Sequence, residues 1–129
     1  MKILGIGNAI VDVICKVNDE FIVNNKLTKS NMKLIFDENE FKRLLSSLKI
    51  EKTISGGSVA NSIVGLSQLG NDVGFIGKIS DDKLGNEYEI GLKKENVKYI
   101  YNKKKEVLPT GTCLILVTPD SERTMCTFL

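Results

Sequence analysis

The chain has 129 residues, enough for one domain with a core of its own, and 42% of them are hydrophobic and 26% charged. Eighteen basic side chains face 16 acidic ones, for a net charge of +2. All of the cations except Arg43 and Arg123 are lysines, so neither a nucleic-acid nor a membrane-surface partner is indicated. The sequence contains no histidine, which excludes Ser–His and Cys–His nucleophilic pairs and makes a conventional zinc site improbable.

In chain order, "KILGIGN" at 2–8 is short, apolar and ends on a turn-forming pair, the pattern of a buried strand. Its lysine and apolar run raise the question of a signal peptide. Asp12 interrupts the apolar stretch and no small-residue cleavage site follows, so the segment reads as a retained strand. Over 11–17, Val11, Val13, Cys15 and Val17 alternate with Asp12, Ile14 and Lys16, which predicts a half-exposed strand. Residues 18–31 are polar and read as a loop around Phe21–Val23. Asp37, with Glu40 three residues on, then forms a capping box before the helical stripe Phe41, Leu44, Leu45 and Leu48.

"SGGSVANSIVGLSQLG" at 55–70 places Val59, Ile63 and Leu66 at helical spacing behind two glycines, with Gly70 at the C-terminal cap position. "DVGFIGKI" reads as a buried strand, and Asp81 and Asp82 lead into a helix through Leu84, Tyr88 and Leu92. "VKYIY" from Val97, "TGTCLILVT" and "RTMCTFL" read as strands, with turns at "NKKKE" and "PDSE". The predicted order, β-β-α-α-β-α-β-β-β, is that of an α/β sheet with a small second sheet attached. No apolar run approaches the ~18 residues of a membrane span. Cys15, Cys113 and Cys126 are far apart among apolar neighbours and read as reduced core cysteines of a cytoplasmic protein. The sequence stops at Leu129 inside an apolar strand, and truncation of a longer chain is expected.

Gly5 and Gly7 follow a strand, but the third glycine of G-x-G-x-x-G falls on Ile10 and a strand pattern follows, so a dinucleotide fingerprint fails. Asn8 and Asp12 sit at and beyond the end of the first strand, where open α/β sheets hold ligands. An ionised Asp accepts two hydroxyl hydrogen bonds and an amide both donates and accepts, the mixture that vicinal sugar hydroxyls require. A turn asparagine and a solvated aspartate fit the same residues. Gly56 and Gly57 would let a ligand lie against the backbone, with Asn61 on the first helical turn. A plain turn capped by Ser58 is the alternative.

"GGSVANSIVGLSQLG" resembles the first signature of the ribokinase (PfkB) family of sugar and nucleoside kinases, in its adenosine-kinase-like branch. "GNAIVDV", "FIGKISDDKLGNEY" and "PTGTCLILVTPDSERTM" fall in family order around it, so the resemblance covers essentially the whole chain. It implies the N-terminal part of a ribokinase-like three-layer α/β/α fold with a small β-sheet lid. The lid strands would be approximately 11–17 and 97–129, covering the sugar and mediating a homodimer. It implies that Asp12 holds substrate hydroxyls with Asn8 beside it, that Gly56, Gly57 and Asn61 contact substrate, that Arg123 belongs to the lid, and that Cys126 and Phe128 wall the pocket. Asp82 and Gly85 match the family's D-x-x-G, a structural element.

The family's catalytic aspartate lies in a G-x-G-D motif in a second half, and the sequence contains no G-x-G-D. The resemblance therefore implies that ATP and Mg²⁺ serve a longer parent kinase acting on a small sugar or nucleoside, and that these 129 residues are its substrate-binding portion and lid. The rival reading is a non-catalytic sugar-binding or β-lid assembly module whose last strand meets a partner's edge.

Overall fold

A computed structural model describes all of residues 1–129. In chain order the elements are β1 (Lys2–Ile6), β2 (Ile10–Lys16), α1 (Asp19–Asn24), β3 (Met32–Ile35), α2 (Glu38–Ser46), β4 (Ile50–Gly56), α3 (Ser58–Gln68), β5 (Asp72–Ile76), α4 (Lys83–Lys94), β6 (Lys98–Tyr99), β7 (Thr112–Val117) and β8 (Arg123–Phe128). They form two compact units, one of Met1–Val11 and Ile54–Gly111, the other of Asp12–Thr53 and Thr112–Leu129.

In the first unit β5 lies between β1 and β6, and both pairings are parallel. Parallel strands buried by helices carry continuous apolar runs, and Val73 and Phe75 of β5 are buried. Gly5 and Gly7 let α3 sit close on β1: a Cβ at Gly5 would lie 2.5 Å from Ile63 Cγ1, and one at Gly7 2.9 Å from Val59 Cβ. Their role is helix–strand packing, consistent with the failed dinucleotide pattern. α3 ends in a Schellman motif, Asn71 N donating to Leu66 O at 3.2 Å and Gly70 N to Ser67 O at 2.9 Å.

The second unit carries the sheet order β3-β8-β7-β2-β4. β7 and β8 form an antiparallel hairpin, and β3 joins β8 in parallel. Val11 N donates to Gly111 O at 2.9 Å and Val17 N to Val117 O at 3.0 Å, so β2 and β7 run in the same direction, with Asp12 level with Cys113 and Val13 level with Leu114. One face is covered by α2, whose Phe41 stacks on Phe128 with ring centroids 5.2 Å apart. Asp37 caps α2 through Asn39 N at 2.8 Å, while Glu40 pairs with Lys33 at 2.5 Å instead of reaching back to the cap.

The α/β class, the first two strands and the four strongest periodic segments follow the sequence pattern, but four features differ. Residues 18–31 contain α1, capped by Asn18 Oδ1 accepting from Phe21 N at 2.8 Å. β3 and β4 are strands that the local pattern does not announce, since each is an edge strand defined by its partner. The segment beginning at Val97, assigned from sequence to the small sheet, lies in the first unit. There Lys98–Tyr99 pairs with β5 and Tyr99 packs on Phe75 with centroids 6.5 Å apart.

Gly65 lies inside α3, and a Cβ added there would have nothing within 4 Å, so Gly65→Ala is expected to stabilise the chain by about 0.5–1 kcal/mol. At Gly85 a Cβ would meet Ser80 O at 2.1 Å, and Gly85→Ala is expected to cost about 1–3 kcal/mol. Urea unfolding of the two variants checks both signs.

Candidate functional site

In the first unit, residues 7–9, 56–58 and 77–78 converge at the carboxyl ends of β1 and β5. Gly57 is the N-cap of α3 with φ 98° and ψ 134°, a conformation that side chains rarely adopt. A Cβ there would sit 2.4 Å from the Asn8 carbonyl oxygen, so only glycine allows the helix to start this close to β1. No side chain caps α3. Ser58, the alternative cap, is the first helical residue, and its carbonyl accepts from Ser62 Oγ at 3.1 Å. Asn61 donates its backbone N–H to Gly57 O at 2.9 Å and leaves its carboxamide exposed, as Asn8 does.

The glycine turn is held from behind. The hydroxyl of Tyr88, fully buried on α4, donates to Gly56 O at 3.1 Å, and Ser55 Oγ donates to Tyr88 O at 3.0 Å. Tyr99 donates its hydroxyl to Gly77 O, and burial pushes its pKa far up. A Cβ at Gly77 would lie 2.7 Å from Gly7 O, so the segment after β5 abuts the one after β1. Asn8, Gly56, Gly57 and Asn61 are therefore one local group.

In the second unit, strand register arranges the sheet face opposite α2 into rows. Asp12 on β2 is level with Cys113 on β7, which pairs with Thr127 on β8 and thence Leu34 on β3. Thr127 Oγ1 donates to Cys113 Sγ at 3.3 Å. The next row is apolar: Ile14, Ile115, Met125 and Met32. The row beyond holds Lys16, Val117 and Arg123, four residues or roughly 13 Å along the strands from the first. Burial raises the carboxyl pKa of Asp12. The Cys113 thiol is raised as well, first by burial and further by the Asp12 charge.

Asp12 and Arg123 thus share a face, two rows apart. Cys126 does not join them: it is level with Leu114 and Lys33, fully buried on the face covered by α2, with Phe128 beside it. Cys113 stands next to Asp12 in its place. Asp82 and Gly85 are structural, Asp82 Oδ1 capping α4 through Gly85 N at 2.7 Å. The sequence pattern does not single out Tyr88, Cys113 or Thr127 as site residues. Tyr88 carries a signal, a hydroxyl on a buried helix stripe that needs an acceptor. Cys113 and Thr127 become neighbours of Asp12 only through strand register.

Residues 15–129 match the family described as pfkB family carbohydrate kinase. A solved probable sugar kinase from Rhizobium etli is similar over 99% of this chain with TM-score 0.87 and 36% identity, and the chain covers 38% of that protein. An adenosine kinase from Sinorhizobium meliloti is similar over 99% with TM-score 0.87 and 34% identity, 39% of its length being covered. A 5-dehydro-2-deoxygluconokinase from Mesomycoplasma hyopneumoniae is 34% identical over 85 residues, 66% of this chain and 24% of that protein. The chain therefore spans well under half the length of these relatives. No helix is long and apolar enough to cross a membrane.

The raised pKa of Asp12 has a measurable consequence. Its folded form binds a proton more readily than its unfolded form, so this residue's contribution to stability falls as pH rises through the range just above 3.8. Asp12→Asn is expected to be more stable than the natural chain at pH 7, with an advantage that shrinks to nothing below the ordinary carboxylate range. Paired urea titrations across pH 3–7 read the difference, and an advantage independent of pH rejects the assignment.

Proposed function

The chain belongs to the pfkB family of carbohydrate kinases, and from that membership we propose that it is the acceptor-binding portion of an ATP-dependent kinase for a sugar or nucleoside hydroxymethyl group. The observation that carries the acceptor role is the Asp12 row. A half-buried carboxylate, shifted by burial and by no neighbouring cation, lies beside an apolar row on an accessible sheet face. Such a carboxylate accepts two vicinal hydroxyls, and the row of Ile14, Ile115 and Met125 suits the C–H face of a ring.

Each remaining residue has a role in this reading. In the first unit Gly56 and Gly57 would let a ligand lie against the backbone and Asn8 and Asn61 supply exposed amides; in the second, Arg123 is a cation at the margin of the Asp12 face. Fixing the ring aligns the attacking hydroxyl, which is where such enzymes gain most of their rate. Excluding water from the transferred group is the role proposed for the second unit. ATP with Mg²⁺ supplies the phosphoryl group. The sequence carries no G-x-G-D motif, and in this reading the nucleotide, its metal and the catalytic base belong to the rest of a longer kinase.

A second role is favoured by one observation. Met32 is 56% and Met125 36% exposed on the Asp12 face, and adjacent exposed apolar side chains mark interaction surfaces. Association of two copies through this sheet is the corresponding proposal, in a cytoplasmic protein. If the chain were only an assembly module, Asp12 would be dispensable for ligand binding.

In the complete kinase, Asp12→Ala is expected to weaken acceptor binding by about 10- to 150-fold, the worth of a hydrogen bond to a charged group. Steady-state kinetics against a panel of sugars, sugar acids and nucleosides tests this, and an unchanged KM with unchanged kcat rejects it. Residues 1–129 alone are expected to transfer no phosphoryl group from radiolabelled ATP, and transfer by the pure chain would place the catalytic base within it.

A further inference from the structure

Asp82 does more than cap a helix. Besides Gly85 N, its carboxylate accepts both polar hydrogens of Thr110: Thr110 N donates to Oδ2 at 2.8 Å and Thr110 Oγ1 donates to Oδ1 at 2.7 Å. Thr110 Oγ1 in turn accepts from Ser80 N at 3.1 Å, and the residue is 2% exposed. Three donors thus converge on one carboxylate, a group that only accepts. Gly85 is part of the same packing, since a Cβ there would also come within 2.9 Å of Thr110 Oγ1.

The position of Thr110 gives the cluster its meaning. The loop between β6 and β7 is stitched to residues 80–82 along its length: Asp81 N donates to Lys104 O at 2.9 Å, and Glu106 N to Ser80 Oγ at 3.2 Å. Thr110 is the last of these ties. Gly111 follows, its carbonyl accepting from Val11 N at 2.9 Å. β7 begins at the next residue, and Cys113 of the Asp12 row is the second residue of that strand.

We propose that Asp82 is a positioning residue: by holding both polar groups of Thr110 it fixes the point from which β7 departs, and through it the placement of Cys113 beside Asp12. The donors that hold the Asp82 carboxylate are those of Gly85 and Thr110, neither of them a residue of the proposed acceptor surface. A strand whose root is tied loses less order to fraying at its first residues than one leaving a free loop. The inference rests on the proposed acceptor reading only for what the row binds. The tie is measured without any ligand, so its failure and the failure of that reading are separate results.

The test is hydrogen–deuterium exchange of the 129-residue chain, followed by peptide mass spectrometry. In Asp82→Asn one donor is left facing an amide N–H₂ instead of a carboxylate oxygen. Exchange over Cys113–Ile115 is expected to rise about tenfold, with β5 unchanged. Thr110→Val, close in shape, keeps the main-chain bond and removes the hydroxyl. It is expected to raise exchange in the same peptide even if the Asp82 variant fails to fold. Thr110→Ser retains all of the bonds and is expected to restore the natural rate. Exchange that rises equally in β5 and β7, that stays unchanged in Thr110→Val, or that is not restored by Thr110→Ser overturns the proposal.

Discussion

At Gly57 one added carbon would stand 2.4 Å from the carbonyl oxygen of Asn8, and much of the first unit depends on that distance. Helix α3 can begin at the end of β1 only if its N-cap has no side chain and accepts a positive φ. A glycine N-cap has no side-chain oxygen to offer, so the first-turn N–H groups of α3 are left without a side-chain cap. Packing tightness and an uncapped helix start are thus one consequence of one residue. The turn is made rigid from behind, where the Tyr88 hydroxyl takes the Gly56 carbonyl that would otherwise be buried without a donor.

The second unit is governed by register instead of close approach. Side chains alternate across a strand, so a slip of one residue would exchange Asp12 for Val11 or Val13 and bring Leu114 or Thr112 into the place of Cys113. Register is held at both ends of β2 by the bonds to Gly111 and Val117, and across the hairpin by six residue pairs from Thr112–Phe128 to Val117–Arg123. The loop before β3 and the β7–β8 turn are clipped by Lys29, which reaches Asp19 at 2.6 Å and Asp120 at 2.5 Å. These bonds hold Asp120 down at about 2 and raise Lys29 to about 12.

The sequence is most readable where local chemistry decides structure. The stripe Val59, Ile63 and Leu66, the caps at Asp37 and Asp82, and the alternation of Val11, Val13 and Cys15 are each set by neighbours within four residues. β3 and β4 escape such reading because an edge strand is defined by the strand beside it, and Lys98–Tyr99 goes to the wrong sheet because alternation does not say which sheet a strand joins. The same limit separates the candidate site residues. Gly57 and Asn61 lie on one helix start and can be found together. Cys126 and Cys113 both alternate with apolar neighbours, so pattern alone cannot rank them, and only the pairing of Leu114 with Cys126 reveals that Cys126 turns toward α2.

The register of β2 on β7, which sets Asp12 level with Cys113, also decides an electrostatic question. Two acidic groups level on adjacent strands cannot both ionise cheaply in a partly desolvated place. Burial disfavours the charged form of each, and the Asp12 charge raises the neighbouring thiol further. The carboxyl, starting from the far lower intrinsic pKa, is the group that ionises at neutral pH. Cys113 stays a neutral thiol with the Thr127 hydroxyl donating to its sulfur, and the row presents one negative charge flanked by weakly polar groups. Such a carboxylate is uncomfortable in the fold alone, and hydroxyl donors brought by a ligand return what burial took away. Under the proposed acceptor role, the feature that costs the chain stability at Asp12 is the one that would let the residue receive hydroxyls.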